Sequence, residues 1–68
     1  MPTDFRTYTG SELRAARERL GASVNDVAAE LGRSRWTVWR MERAEAQHPW
    51  LYAKRYFTAL DAIARRAA

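Results

Sequence analysis

Residues 35–43 place three arginines and two tryptophans within nine consecutive positions. A guanidinium group such as that of Arg35 or Arg40 donates paired hydrogen bonds to phosphates or to the O6 and N7 atoms of guanine. Trp36 and Trp39 add large aromatic rings, which are costly to leave exposed to water. Together these residue types indicate recognition of an anionic partner that carries bases.

The chain offers no residue set suited to catalysis. It has no cysteine and one histidine, His48, and it contains no glycine-rich phosphate loop and no clustered carboxylates. A lone histidine is more often a surface group than a general base. We therefore expect no enzymatic activity, no metal site, no cofactor and no small-molecule ligand.

Length and charge indicate one small, basic domain. The chain has 68 residues, and a domain of that size buries only about 60% of its unfolded surface. Residues 1–30 carry four arginines against five acids, whereas residues 31–68 carry eight basic residues against three acids. A basic half on a small domain is typical of nucleic-acid-binding proteins. No apolar run resembles a signal peptide or reaches the roughly 20 residues of a membrane span, so we expect a cytoplasmic protein.

Local capping signals predict the first two helices. Thr9 and Glu12 have the spacing of a capping box, and Gly21 is suited to end the helix that follows. Ser23 and Gly32 bound a second helix in the same way. Residues 1–8 show no helical period and are expected to form an N-terminal arm, which leaves residues 9–68 as the domain.

Ser34 caps a third helix, which we expect to run from about Arg35 to Arg43. A short connection, 45–49, leads to a last helix over residues 52–66. No strand pattern is visible. The expected fold is all-α, a compact bundle of four to five helices.

The turn Gly32–Ser34 between the second and third helices has the length of a helix-turn-helix turn. Ala28 is small where the second helix must approach the third, and Val38 is apolar where the third helix must pack. The third helix then projects its outer residues toward a groove about 12 Å wide, the major groove of DNA.

Between Leu13 and Leu60, a set of apolar, small and charged positions has the spacing of a known family; the set is Leu13, Arg17, Gly21, Ser23, Val27, Ala28, Leu31, Gly32, Ser34, Arg35, Thr37, Val38, Arg40, Glu42, Arg43, Pro49, Ala59 and Leu60. In these residues the chain resembles the Cro/C1-type (XRE-like) helix-turn-helix repressors. The resemblance implies a lambda-repressor-like bundle and a homodimer on a palindromic operator. It also implies that Arg17 pairs with Glu42. The C-terminal part is similar to small phage operon autorepressors of the anti-CRISPR-associated type, which implies a bacterial cell and a phage or mobile element as source.

The expected partner is double-stranded DNA. Base contacts are assigned to Arg35, Trp36, Trp39 and Arg40, with thymine methyl groups as the target of Trp36. Trp39 has two alternatives, packing on the flank of the domain or bracing the sugar-phosphate chain. Backbone contacts are assigned to Ser23, Arg33, Ser34, Thr37, Arg43 and Lys54. For the charged residues the alternative is a solvated surface group, and for the hydroxyls it is a helix cap.

A dimer contact is expected in the last helix. Tyr56, Leu60 and Ile63 share the face suited to the domain's own core. Trp50, Tyr52 and Phe57 fall on other faces, so they are the candidates for an isologous contact with a second copy.

The sequence thus predicts a sequence-specific DNA-binding transcriptional regulator, a repressor acting by operator occupancy. Two alternatives stay open. One is a protein-interaction module on the same fold, such as an antitoxin or assembly subunit, which Trp36, Trp39 and Trp50 would mark by forming one exposed apolar patch. The other is a non-specific nucleic-acid binder, which would show no preference among duplex sequences.

Overall fold

The capping residues of the first two helices act as the sequence predicts. In the computed structural model, which describes residues 6–67, helix α1 spans Gly10–Leu20 and helix α2 spans Val24–Leu31. The Thr9 hydroxyl accepts from the backbone N–H of Glu12 at 3.2 Å, and the Glu12 carboxylate accepts from the N–H of Thr9 at 2.9 Å. Ser23 and Asp26 form the same reciprocal pair at the start of α2.

The ends of α1 and α2 are set by glycines in the left-handed region. Gly21 has φ +81° and Gly32 has φ +66°, values that residues with a Cβ adopt only at a cost. The N–H of Gly21 donates to the carbonyls of Arg17 and Glu18, which closes α1. Both glycines therefore end their helices for the reason expected from sequence.

Helix α3 spans Arg35–Met41, two residues fewer than expected at its C-terminal end, and helix α4 spans Trp50–Ala67 without a break. The Ser34 hydroxyl caps α3 by accepting from the N–H of Thr37 at 3.2 Å. At the other end, the Nε2–H of His48 donates to the carbonyl of Met41 at 2.6 Å. The histidine thus satisfies one of the carbonyls that a helix leaves free at its C-terminus.

Two short strands accompany the helices, although the sequence shows no strand pattern. Strand β1 (Thr7–Thr9) pairs antiparallel with strand β2 (Gln47–Pro49), and Tyr8 lies opposite His48. Strands of three residues are too short to show an alternating pattern, so only the tertiary contact reveals them. Residues 1–5 of the expected arm lie outside the described residues.

Gly10 explains why β1 approaches the loop after α3 so closely. Its N–H donates to the carbonyl of Ala46 at 2.9 Å. A Cβ at this position would lie 1.8 Å from the carbonyl oxygen of Arg43, far inside van der Waals contact. Glycine is therefore the residue that permits this approach.

The core lies between α4 and the first three helices. Leu13, Val27, Val38 and Tyr56 are fully buried at its centre, and small alanines let the helices approach one another around them. Ile63 and Met41 pack against this core and are partly buried. The architecture is the expected all-α bundle, with four helices among the described residues. Within residues 6–67, no helix combines the length and apolar character required to span a membrane.

Candidate nucleic-acid interface

The turn between α2 and α3 fixes the direction in which α3 leaves the domain. The N–H of Arg33 donates to the carbonyl of Ala28 at 3.0 Å, and Gly32 supplies the left-handed residue of the turn. Val38 points inward from α3 and is fully buried, while Ala28 is buried beneath it in α2. One face of α3 is thereby held against the domain and the opposite face is turned to solvent.

A buried ionic network fixes the C-terminal end of α3. Two nitrogens of Arg17, Nε and Nη2, donate to the two carboxylate oxygens of Glu42 at 2.8 and 2.9 Å. The third nitrogen, Nη1, donates to the carbonyl of Ala22 at 3.0 Å. The hydroxyl of Tyr56 also donates to Glu42, so α1, α3 and α4 meet at one carboxylate.

The electrostatics of this network keep Arg17 protonated and Tyr56 neutral. The hydrogen bond with Glu42 raises the pKa of Arg17 above its ordinary value, so the guanidinium stays protonated. Burial raises the pKa of the Tyr56 phenol, and its hydrogen bond to Glu42 adds to the effect, so the hydroxyl remains a donor. The sequence had placed Tyr56 in the core as an apolar ring. The signal in the sequence was that this core position holds tyrosine and not phenylalanine, because a buried tyrosine hydroxyl usually has a hydrogen-bond partner.

The outer face of α3 carries the four residues expected to contact bases. Arg35 and Arg40 are exposed, and neither forms an ion pair with any residue in the range 6–67. Trp36 and Trp39 are 60% and 52% exposed. Their rings stack on each other, with centroids 4.9 Å apart and planes inclined by 15°.

The residues expected to contact the DNA backbone fall into two groups. Ser23 and Ser34 use their hydroxyls as helix caps, and the Thr37 hydroxyl lies 3.2 Å from that of Ser34. Arg43 lies beyond the end of α3 and forms an exposed ion pair with Glu45 at 3.3 Å. Arg33 is exposed at the turn and lies at the edge of α3.

A groove of about 400 Å³ runs between the Thr37 side of α3 and helix α4. Arg33 lines one wall and Arg55 lines another, so the structure brings these two cations to one groove. Lys54 instead lines a second groove, together with Glu30. Arg55 was missed from sequence because the side of α4 that lies next to the turn before α3 depends on how α4 packs on α2.

The three candidates for a dimer contact differ in their surroundings. The ring of Phe57 meets that of Tyr8 edge-on at 5.2 Å, and the ring of Trp50 lies 6.1 Å from the same tyrosine. Both are therefore partly covered within one copy. Tyr52 is 62% exposed, and its neighbour Leu51, which was not among the three candidates, is 74% exposed.

Trp50 also bears on the alternative of a protein-interaction module. Its aromatic neighbour is Tyr8, on β1, whereas Trp36 and Trp39 stack on each other on α3. Among the described residues, Trp36 and Trp39 are exposed and Trp50 is partly buried, so the three tryptophans do not form one exposed patch. Across residues 6–67, no three histidine, aspartate or glutamate side chains cluster as metal ligands.

Comparison with known families gives one match. A family model described as a helix-turn-helix domain matches residues 10–67, which is most of the chain. The matched segment begins with the first residue of α1 and ends with the last residue of α4. A search of curated proteins and a search of solved structures returned no match.

Proposed function

Because the chain belongs to the helix-turn-helix domain family, whose characteristic activity is DNA binding, we propose that it regulates transcription by binding a specific duplex sequence with α3 in the major groove. The observation that carries this proposal is the outer face of α3. There, Arg35 and Arg40 are exposed and have no acidic partner within the described part of the chain. The buried face of the same helix is fixed by Val38 and Glu42.

The two arginines suit base reading. A guanidinium that donates to the O6 and N7 atoms of guanine discriminates against other bases by about 1–3 kcal/mol. Such discrimination needs a rigid helix, since a shift of the donor breaks one of the two bonds. The network around Glu42 supports that rigidity by tying the end of α3 to Arg17 and Tyr56.

The phosphate contacts flank this reading face. Arg33 and Arg55 line the groove on one side of α3, and Arg43 follows its C-terminal end. Ser23 and Ser34 are exposed at the starts of α2 and α3, Thr37 is half-buried in the first turn of α3, and their hydroxyls supply further hydrogen bonds to phosphate. Lys54 contributes long-range attraction. These contacts give affinity and salt dependence but no sequence preference.

We further propose that the protein is a repressor of the Cro/C1 type that binds a palindromic operator as a homodimer in the bacterial cytoplasm. The Arg17–Glu42 pair supports this narrower assignment, since the same pairing is a feature of that family. A single recognition helix reads few base pairs, and two copies related by a two-fold axis supply a second half-site about 34–36 Å away. Leu51 and Tyr52 offer exposed apolar surface for that contact.

Selection from a pool of random-sequence duplex DNA tests the proposal. We expect enrichment of one short sequence repeated with two-fold symmetry. Recovery of a pool without any shared sequence would contradict specific binding and favour a non-specific binder. Sedimentation equilibrium tests the dimer, and Leu51→Asp should shift the mass toward that of a monomer. A monomeric parent that also binds one half-site would refute the dimer.

A further inference from the structure

The stacked pair Trp36–Trp39 requires an explanation of its own. Burying an aromatic ring removes roughly 150–250 Å² from water, and helices of small domains place such rings in the core or at an interface. Here both rings are more than half exposed on a helix whose opposite face is already packed. Stacking covers one face of each ring, and more than half of each side chain still remains exposed. The pair is therefore a preformed apolar surface that the described residues cover only in part.

The charges around the pair indicate what covers it. Arg40 lies one helical turn after Trp36, and Arg35 lies one turn before Trp39, so cations flank both rings on the same side of α3. An apolar protein surface pressed onto the pair would also have to desolvate these guanidiniums. A polyanion with apolar groups between its charges would contact the rings and pair with the guanidinium groups at the same time.

The major groove of DNA has one such apolar point. Its base edges present donors and acceptors, and the only alkyl group among them is the C5-methyl of thymine. A 5-methylcytosine carries a methyl group at the same position. The two ring centroids are 4.9 Å apart, while successive base pairs are about 3.4 Å apart along the axis. The ring spacing lies between one and two base-pair steps, so it suits methyl groups on neighbouring base pairs.

We infer that the Trp36–Trp39 pair recognises 5-methylpyrimidines, so that the specific site of this protein contains adjacent thymines or 5-methylcytosines under the two rings. This inference rests on the proposed function. It adds the chemical group that gives part of the specificity, beside the guanines that Arg35 and Arg40 are suited to read. The stack holds each ring in place before binding, which lowers the entropic cost of ordering it on the DNA.

Base analogues test the inference without altering the protein. The selected duplex is synthesised with deoxyuridine in place of one thymine at a time, which deletes a single methyl group and keeps the base pair. Fluorescence anisotropy should show binding about four-fold weaker for each methyl group under the pair, the effect of exposing one buried methyl group. A duplex with cytosine at one of these positions should also bind more weakly than the same duplex with 5-methylcytosine there, by the same factor of about four.

Protein variants show whether the tryptophans are responsible. In Trp36→Ala and Trp39→Ala, the ratio of affinities for the thymine and deoxyuridine duplexes should fall to about one at the position under the deleted ring. Leu20→Ala, which removes another exposed apolar side chain on α1, is the matched control and should keep the parent ratio. Circular dichroism checks that each variant retains its helices.

The outcomes separate this inference from the proposed function. If selection yields a specific duplex whose binding is unchanged by deoxyuridine at every thymine, the methyl inference is overturned and specific binding stands. The inference is equally overturned if the tryptophan variants weaken binding to both duplexes by the same factor, which would indicate contact with sugar and phosphate. If the variants bind both duplexes as the parent does, the pair serves a protein partner instead. A failure of selection itself refutes the proposed function.

Discussion

Replacing Glu42 by alanine should be among the most damaging single changes in this protein. The side chain of Glu42 is 6% exposed and that of Arg17 is 12% exposed. Deleting the carboxylate leaves the guanidinium with the carbonyl of Ala22 as its one acceptor among residues 6–67, and it leaves the buried hydroxyl of Tyr56 without its acceptor. The penalty therefore comes from the groups left behind more than from the bonds lost.

The magnitude follows from that burial. Breaking a buried ion pair by removing one partner costs about 3–5 kcal/mol. Arg17 keeps its bond to Ala22 and retains some solvent, so we expect the lower end, about 3 kcal/mol. A chain of 68 residues has a total stability of about 3–10 kcal/mol. At about 4–8 °C per kcal/mol, the melting temperature should fall by about 12–24 °C.

Thermal unfolding followed by circular dichroism measures this effect. Glu45→Ala is the matched control, because it deletes an exposed carboxylate that pairs with Arg43, and it should change stability by less than about 0.5 kcal/mol. The double variant Arg17→Met/Glu42→Leu should be more stable than Glu42→Ala, since neither charge remains buried alone. A melting temperature for Glu42→Ala within about 3 °C of the parent would refute the reasoning.

Other changes test the backbone and the caps. Gly10→Ala should cost about 3 kcal/mol in urea unfolding because its Cβ meets a backbone carbonyl at 1.8 Å. Gly21→Ala places alanine at φ +81° but has free space around it, so it should cost only about 1–2 kcal/mol. Equal losses in the two variants would show that the backbone near Gly10 moves to accommodate the added Cβ. The backbone N–H bonds from Thr9 and Ser23 hold the pKa of Glu12 and of Asp26 below their ordinary values of 4.5 and 3.8. Since the folded-state pKa is the lower one, this stabilisation is fully present above the ordinary values and is lost as the pH falls from them through the lower folded-state pKa values. The urea midpoint should therefore drop between about pH 5 and pH 3, and Asp26→Asn should flatten that drop; an unchanged slope would contradict a role for the cap.

The sequence predicts the parts of this fold that depend on neighbouring residues. Helices α1 and α2 begin at Thr9 and Ser23 because each capping hydroxyl and its carboxylate lie three residues apart, a relation visible in the chain itself. The strand pair and the need for glycine at position 10 escaped prediction, because both depend on residues more than 30 positions away.

In the candidate site too, the sequence predicts the features that depend on local spacing but not those that depend on packing. The spacing of Trp36 and Trp39 places them on one side of α3, but their stacking depends on side-chain rotamers that the sequence does not specify. Lys54 and Arg55 are adjacent in α4, and only the packing of α4 on α2 decides which of them lies beside Arg33.

The central claim is that the outer face of α3 reads base sequence, and its most direct test is the ratio of affinities for the selected duplex and for random duplex. The ratio is measured for the parent, for Arg40→Ala and for Arg65→Ala, which removes one charge from the last turn of α4, where no DNA contact is assigned. We expect Arg40→Ala to lower the ratio by about 5- to 150-fold, the loss of one bidentate contact with guanine. Arg65→Ala should leave the ratio unchanged. An equal loss on both duplexes in Arg40→Ala would contradict base reading by α3.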